Sequence, residues 1–132
     1  MSEKIKYSID VQVVGGVKIS ASQTFTVDAY DKIEVTVADG ASDEDIEVQP
    51  GSAGQVQFLL IQSDKYGDNL TYSVNAAEAD PTKRIKLDSQ QLFVGTGNVG
   101  LLGGSPQKLF FYNSLGENTV IKILVGRKAT TP

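Results

Sequence analysis

Strict alternation of apolar and polar residues governs the start of this chain. Ile5, Tyr7, Ile9, Val11 and Val13 alternate with Lys6, Ser8, Asp10 and Gln12. Side chains of a strand point to opposite faces in turn, whereas a helix needs an apolar period near 3.6. This run therefore builds a strand with one dry face and one wet face. Gly15-Gly16 follows, and Val17, Ile19 and Ala21 resume the alternation. Two glycines between alternating runs predict a hairpin, because tight hairpin turns need left-handed backbone that glycine adopts at no steric cost.

The same period recurs along the chain. Phe25 and Val27 continue a strand, and Ile33, Val35 and Val37 form the next, closed by Asp39-Gly40. Ile46 and Val48 predict a short strand ended by Pro50-Gly51. Val56 to Ile61 is a stronger one, apolar on both faces at its end. Tyr66-Gly67-Asp68-Asn69 predicts a turn before Leu70, Tyr72 and Val74. Ala76-Ala77-Glu78-Ala79 is the one place for a helical turn, within Asn75–Thr82. Ile85 with Leu87, then Leu92-Phe93-Val94, add strands before a glycine-rich stretch from Gly95 to Gly104. Leu109–Tyr112 and Val120–Val125 are expected to form a last hairpin around Ser114–Asn118. Turn signals every 8–12 residues or so are the spacing of a sandwich or barrel. The expectation is an all-β chain: one β-sandwich over residues 1–132, jelly-roll-like, with eight to ten antiparallel strands and little helix. An immunoglobulin-like sandwich ranks second, because no Cys…Trp…Cys framework supports it. Residues 127–132 are expected to be a short C-terminal tail.

Composition narrows the chemistry. The 132 residues include no His, no Cys and no Trp. That excludes Ser-His-Asp and Cys-His catalysis, His- or thiolate-ligated zinc, disulfides and a histidine pH switch. Acid–base work would fall to Asp, Glu, Lys or Tyr. A glycosidase needs only two carboxylates, yet nothing picks out a pair. The expectation is a non-enzyme without a cofactor. The longest apolar runs are far too short to span a membrane, and the N-terminus carries no signal-peptide pattern, which predicts synthesis in the cytoplasm.

Four local patterns stand out from ordinary surface structure. Gly95-Thr96-Gly97-Asn98-Val99-Gly100 matches GxGxxG after a strand. A dinucleotide fingerprint must open a helix, and Gly103-Gly104-Ser105-Pro106 leaves no room for one. Asp39, Asp43 and Asp45, with Glu44 and Glu47, are the candidate oxygen ligands for calcium, although the EF-hand spacing is absent. Asp64, Asp68 and Asn69 form a weaker oxygen cluster. Lys83, Arg84 and Lys86 are too few to make a nucleic-acid face on a chain of pI near 4.7.

Charge is segregated by position. Residues 1–27 carry net +1, residues 28–80 net −10, and residues 81–132 net +5. Either the segments interleave and neutralise each other, or the molecule has an acidic and a basic surface that steer docking. The C-terminal hairpin is apolar on both faces, so one face needs cover from a loop of the same chain or from another subunit. The candidate interface residues are Phe110, Tyr112, Ile121 and Ile123, with Leu101 and Leu102 in the glycine-rich loop.

In overall character the chain resembles the small cysteine-free β-sandwich decoration or cement proteins of bacteriophage virions. The resemblance spans the whole chain in style, rests on no motif and transfers no residue. It implies a homo-oligomer that binds a capsid or tail lattice through loops and edges, by apolar patches and complementary charge, with residence in the virion. The alternative expectation is a carbohydrate- or ligand-binding β-sandwich module, assisted by calcium at the acidic loop. Nucleic acid and membrane are not expected partners.

Overall fold

Alternation becomes strand along the whole chain, with or without a second layer over the dry face. A computed structural model describes residues 3–48, 54–102 and 106–129. Among these, the chain forms ten strands: β1 (Glu3–Gln12), β2 (Lys18–Val27), β3 (Ala29–Val37), β4 (Glu44–Glu47), β5 (Gly54–Ser63), β6 (Leu70–Val74), β7 (Ile85–Lys86), β8 (Gln91–Val94), β9 (Lys108–Asn113) and β10 (Thr119–Ala129). One four-stranded sheet runs in the order β3-β10-β5-β8 and another in the order β4-β9-β6-β7, while β1 and β2 pair only with each other. Every pairing is antiparallel.

The strand order encodes a ribbon. β3 pairs with β10, β4 with β9, β5 with β8 and β6 with β7, so the chain runs out and back on itself. The ribbon then wraps, bringing β10 against β5 and β9 against β6. That is the jelly-roll arrangement, two sheets with interleaved strand order. The two sheets face each other across one core. Val37, Leu59, Ile61, Ile121, Ile123 and Val125 from the first sheet meet Ile46, Leu70, Tyr72, Leu109 and Phe111 from the second. Tyr72 and Phe111 pack with ring centroids 5.4 Å apart. The Tyr72 hydroxyl donates to Gln91 Oε1 at 2.5 Å, and burial pushes the phenol above its usual range.

Ribbon pairing also explains the charge segregation. It sets the acidic segment 28–80 strand by strand against the basic segment 81–132. Asp31 pairs with Arg127, Glu34 with Lys122 at 3.7 Å, and Asp45 with Lys108 at 3.6 Å. The interleaving alternative is the one the fold adopts for these pairs.

Three expectations fail here. Ser114–Asn118 does not close a hairpin, because β9 and β10 lie in different sheets and the loop carries the chain across the sandwich. Asn113 makes that crossing possible. It is fully buried, its Nδ2 donates to Val37 O at 3.0 Å and Glu117 O at 2.9 Å, and its Oδ1 accepts from Leu115 N at 2.9 Å. Residues 127–129 are not tail. They extend β10, where Arg127 pairs with Ala29 and Val56, and residues 130–132 lie outside the described set. The helical turn sits later than expected, as a 3-10 turn at Pro81–Lys83 capped by Asp80, whose Oδ1 accepts from Thr82 N at 3.0 Å. Asn75 keeps Ala76–Ala79 from winding up: its backbone is left-handed, at φ 66°, and its N–H donates to Lys108 O at 2.8 Å. The predicted Pro50-Gly51 stop lies outside the described residues.

Asn113→Ala strands the buried Val37 carbonyl and frees the crossover. The expected loss is about 1–3 kcal/mol for the orphaned group, read from the urea-unfolding midpoint.

Candidate functional site

β1 and β2 build an arm. Their register sets Ile5 opposite Phe25, Tyr7 opposite Gln23, Ile9 opposite Ala21 and Val11 opposite Ile19. Directly opposed residues share a face, so these pairs make one apolar stripe. Lys4, Lys6, Ser8, Asp10 and Gln12, with Lys18, Ser20, Ser22, Thr24 and Thr26, make the other face. Asp10 accepts from the Ser20 hydroxyl at 2.5 Å and lies 3.9 Å from Lys18 Nζ on that polar side. The predicted Gly-Gly turn closes the arm. Gly15 takes φ +78°, Gly16 N donates to Val13 O at 2.7 Å, and Val13 N donates to Val17 O at 2.8 Å.

Only the base of the stripe is covered. Ile5 and Val27 are buried with Phe58 in a second, smaller core on the outer face of the β3-β10-β5-β8 sheet. Phe25 stacks near Phe58 at 5.6 Å between ring centroids, with Tyr7 6.2 Å from Phe25. Gly126 of β10 makes this seat. A Cβ there would lie 2.6 Å from Ile5 Cδ1 and 3.2 Å from Val27 Cγ1, so the missing side chain is the space that the arm fills. Asp28 N, donating to Arg127 O at 3.0 Å, ties the foot of the arm to the same strand. Seating the arm also explains why β5 is apolar on both faces: Leu59 and Ile61 face the main core, while Phe58 and Leu60 face the arm base.

Beyond the base the stripe is uncovered. The six steps from Tyr7 to Val13 span about 20 Å of extended chain. Over that length Val11 is 57%, Val13 60%, Val17 71% and Ile19 70% exposed, and Val14 at the tip is 97% exposed. Burying one such side chain is worth roughly 1.5–3 kcal/mol, so a wet row of them is costly.

The expected interface residues divide differently. Ile121 and Ile123 are fully buried between the sheets and face no partner. Tyr112 is also buried, on the outside of β9, because the Asn75–Arg84 connection folds over it. Its hydroxyl accepts from Glu78 N at 2.7 Å, and the Arg84 guanidinium lies 3.5 Å above its ring. The two-sided apolar strand is thus covered by its own chain. Phe110 is half-buried, Leu102 is partly buried against the main core, and Leu101 is exposed.

The GxGxxG stretch differs from expectation too. It winds into a single-turn helix, α1 (Thr96–Val99), continued by a 3-10 turn at Gly100–Leu102. Val99 tucks into the main core, which is what draws the turn closed. Gly103, Gly104 and Ser105 lie outside the described residues. The strand before it, β8, is antiparallel to β5, unlike the parallel strand that a dinucleotide fold supplies.

The acidic residues are engaged separately. Asp39 accepts from Gly116 N at 3.1 Å, Asp45 pairs with Lys108, and Asp43 takes left-handed backbone in the turn before β4. Among the described residues no three carboxylates are grouped to hold a cation. Asp64, of the weaker cluster, is a clasp between β5 and β10. Its Oδ1 accepts from Val120 N and from Thr119 Oγ1, both at 2.8 Å, and these bonds hold its pKa below the usual value.

The sequence predicts a dry face for the arm stripe, and beyond its base that face lies in solvent. Its signal was the tip, Val13-Val14-Gly15-Gly16-Val17, which places three valines where a hairpin normally turns on polar residues. No helix among the described residues is long and apolar enough to cross a membrane. Comparison of the chain with protein-family models, with curated proteins and with solved structures finds no match in any of the three.

Two outcomes follow. Gly126→Val fills the seat, and hydrogen exchange at the arm base, Ile5–Tyr7 and Phe25–Val27, is expected to speed up more than at Leu70–Val74. Asp64 is stabilising while ionised, and because its folded pKa is depressed this contribution is lost as pH falls below about 4. Asp64→Asn is therefore less stable than the parent at neutral pH, with a gap in urea midpoint that narrows on acidification. A gap that widens would refute the clasp.

Proposed function

We propose that the chain is a non-catalytic assembly protein that self-associates and attaches to a larger protein lattice, in the manner of a phage-type virion decoration or cement protein. The observation that carries this reading is the projecting arm, whose apolar stripe is left uncovered on a body that already buries its own core. A monomer seldom leaves an apolar patch of more than a few hundred Å² in water unless something binds there. The jelly roll is compatible, since viral capsid domains use it, although lectins and cupins share it and a fold alone assigns no function. The absence of His and Cys from the sequence weighs in the same direction.

The carbohydrate-module alternative has less behind it. Tyr7, Tyr72 and Tyr112 are occupied by packing, which leaves Tyr30 and Tyr66 to stack on a sugar. Its calcium would need the acidic loop, whose Asp39 and Asp45 already have protein partners.

Light scattering after size exclusion tests the assembly reading. A dimer or larger species that persists on dilution is expected, and a monomer at every concentration refutes it.

A further inference from the structure

We infer that the arm is a homodimerisation element, with the apolar stripes of two copies packed face to face about a two-fold axis. This deepens the assembly reading and rests on it. The argument starts from area. Ile9, Val11, Val13, Val17 and Ile19 are 39–71% exposed along the stripe, and Val14 at its tip is 97% exposed. The five stripe residues present on the order of 500 Å² of surface, the size of a small interface, where a standard one takes ~800 Å² from each partner.

Charge supports a second copy as the occupant. A two-fold contact sets a surface against itself, so any charge near the axis meets its own like. From Ile5 to Val13, and across from them from Phe25 to Val17, the stripe holds no ionisable acid or base, only Tyr7 and Gln23 as polar residues. Of the arm charges, Lys4, Lys6, Asp10 and Lys18 stand on the opposite face, and Glu3, opposite Val27, lies at the foot of the arm, below the uncovered part of the stripe.

Shape supports it too. Val11 opposite Ile19 gives an apolar surface of β-branched side chains, the kind that packs at about 10 Å between two sheets. A lone two-stranded hairpin is marginal in water, and a second layer is what such a hairpin lacks. Two arms together make a four-stranded, two-layer sandwich.

The body of another copy is a poorer seat. Its open apolar ground, around Leu60 and Leu124, is flanked by Lys32 and Lys122 in a hollow of about 290 Å³. Laying the stripe there would take the Lys32 ammonium and the Lys122–Glu34 ion pair out of water, with no charged group along the exposed stripe to meet them.

The chain has no cysteine, so single introduced cysteines report the contact without background. Ile9→Cys, Val11→Cys and Val13→Cys sample the stripe. Ser8→Cys, Asp10→Cys and Gln12→Cys sample the opposite face. After mild oxidation of each full-length variant, non-reducing electrophoresis is expected to show disulfide-linked dimer with period-two dependence, several-fold more for the best stripe position than for any polar-face position. The double variant Val11→Glu with Ile19→Glu is expected to sediment as a monomer with the melting temperature of its body unchanged. Equal yields on both faces overturn the inference, as does a Val11→Cys chain that cross-links to Leu124→Cys in preference to itself. A double variant that stays dimeric also overturns it, and leaves the assembly reading standing with its contact elsewhere. A parent chain that is monomeric at every concentration overturns the assembly reading itself.

Discussion

β10 is the strand on which both parts of the molecule hang. Its inward side chains, Ile121, Ile123 and Val125, are buried between the two sheets. Its edges hold β3 on one side and β5 on the other. Its outward side carries Gly126, the gap into which Ile5 and Val27 fit. The register between β5 and β10 shifts between Gly126 and Arg127, at the end of this seat. A bulge adds local twist and re-aims the strand, so the irregularity and the glycine act at one place. Body and arm are therefore coupled through a single segment, and the direction in which the arm projects is set by the core strand beneath it.

The ribbon pairing gives the charge pattern a physical role. A strand with one buried face has a strongly specified register, because a slip of one residue turns its apolar set outward. Opposite charges on the wet faces add a second, weaker condition. Each exposed pair, such as Glu34 with Lys122 or Asp45 with Lys108, is worth little alone. Their joint effect is selective: an acidic outgoing half and a basic returning half attract in the ribbon arrangement, whereas two outgoing strands laid side by side would repel. The net charge of −4 is what remains after this internal matching.

The strands were legible in the sequence because period two is a direct imprint of strand geometry. Leu70, Tyr72 and Val74, or Ile33, Val35 and Val37, could be placed from spacing alone. The arm hairpin was legible as a hairpin for the same reason, aided by Gly15-Gly16. What could not be read was which partner covers each dry face, since alternation looks the same whether the cover is a sheet, a loop or water. Ile121 and Ile123 look like an interface in the sequence because the outer face of their expected hairpin has no visible cover there. The cover was spread over distant segments, with Tyr112 beneath the Arg84 guanidinium and Gly126 beneath Ile5. Conversely, Val11 and Ile19 matched a core pattern and lie in solvent. The Ser114–Asn118 connection misled for a local reason. Its five residues look like a hairpin loop, and only the buried Asn113 amide, bonded to Val37 and Glu117, tells that the chain crosses to the other sheet.

The seat at Gly126 also fixes an order of events in time. The arm is made before the body that seats it, and β10 comes after the other nine described strands. Synthesis proceeds from the N-terminus, and contacts between remote segments form late. Until β10 leaves the ribosome there is no glycine gap for Ile5 and Val27, no Arg127 carbonyl to receive Asp28 N, and no fixed heading for the hairpin. A half-made chain therefore holds its stripe without orientation, and an incomplete molecule cannot present it to a neighbour in a set pose. Completion of β10 becomes the checkpoint after which the arm points somewhere.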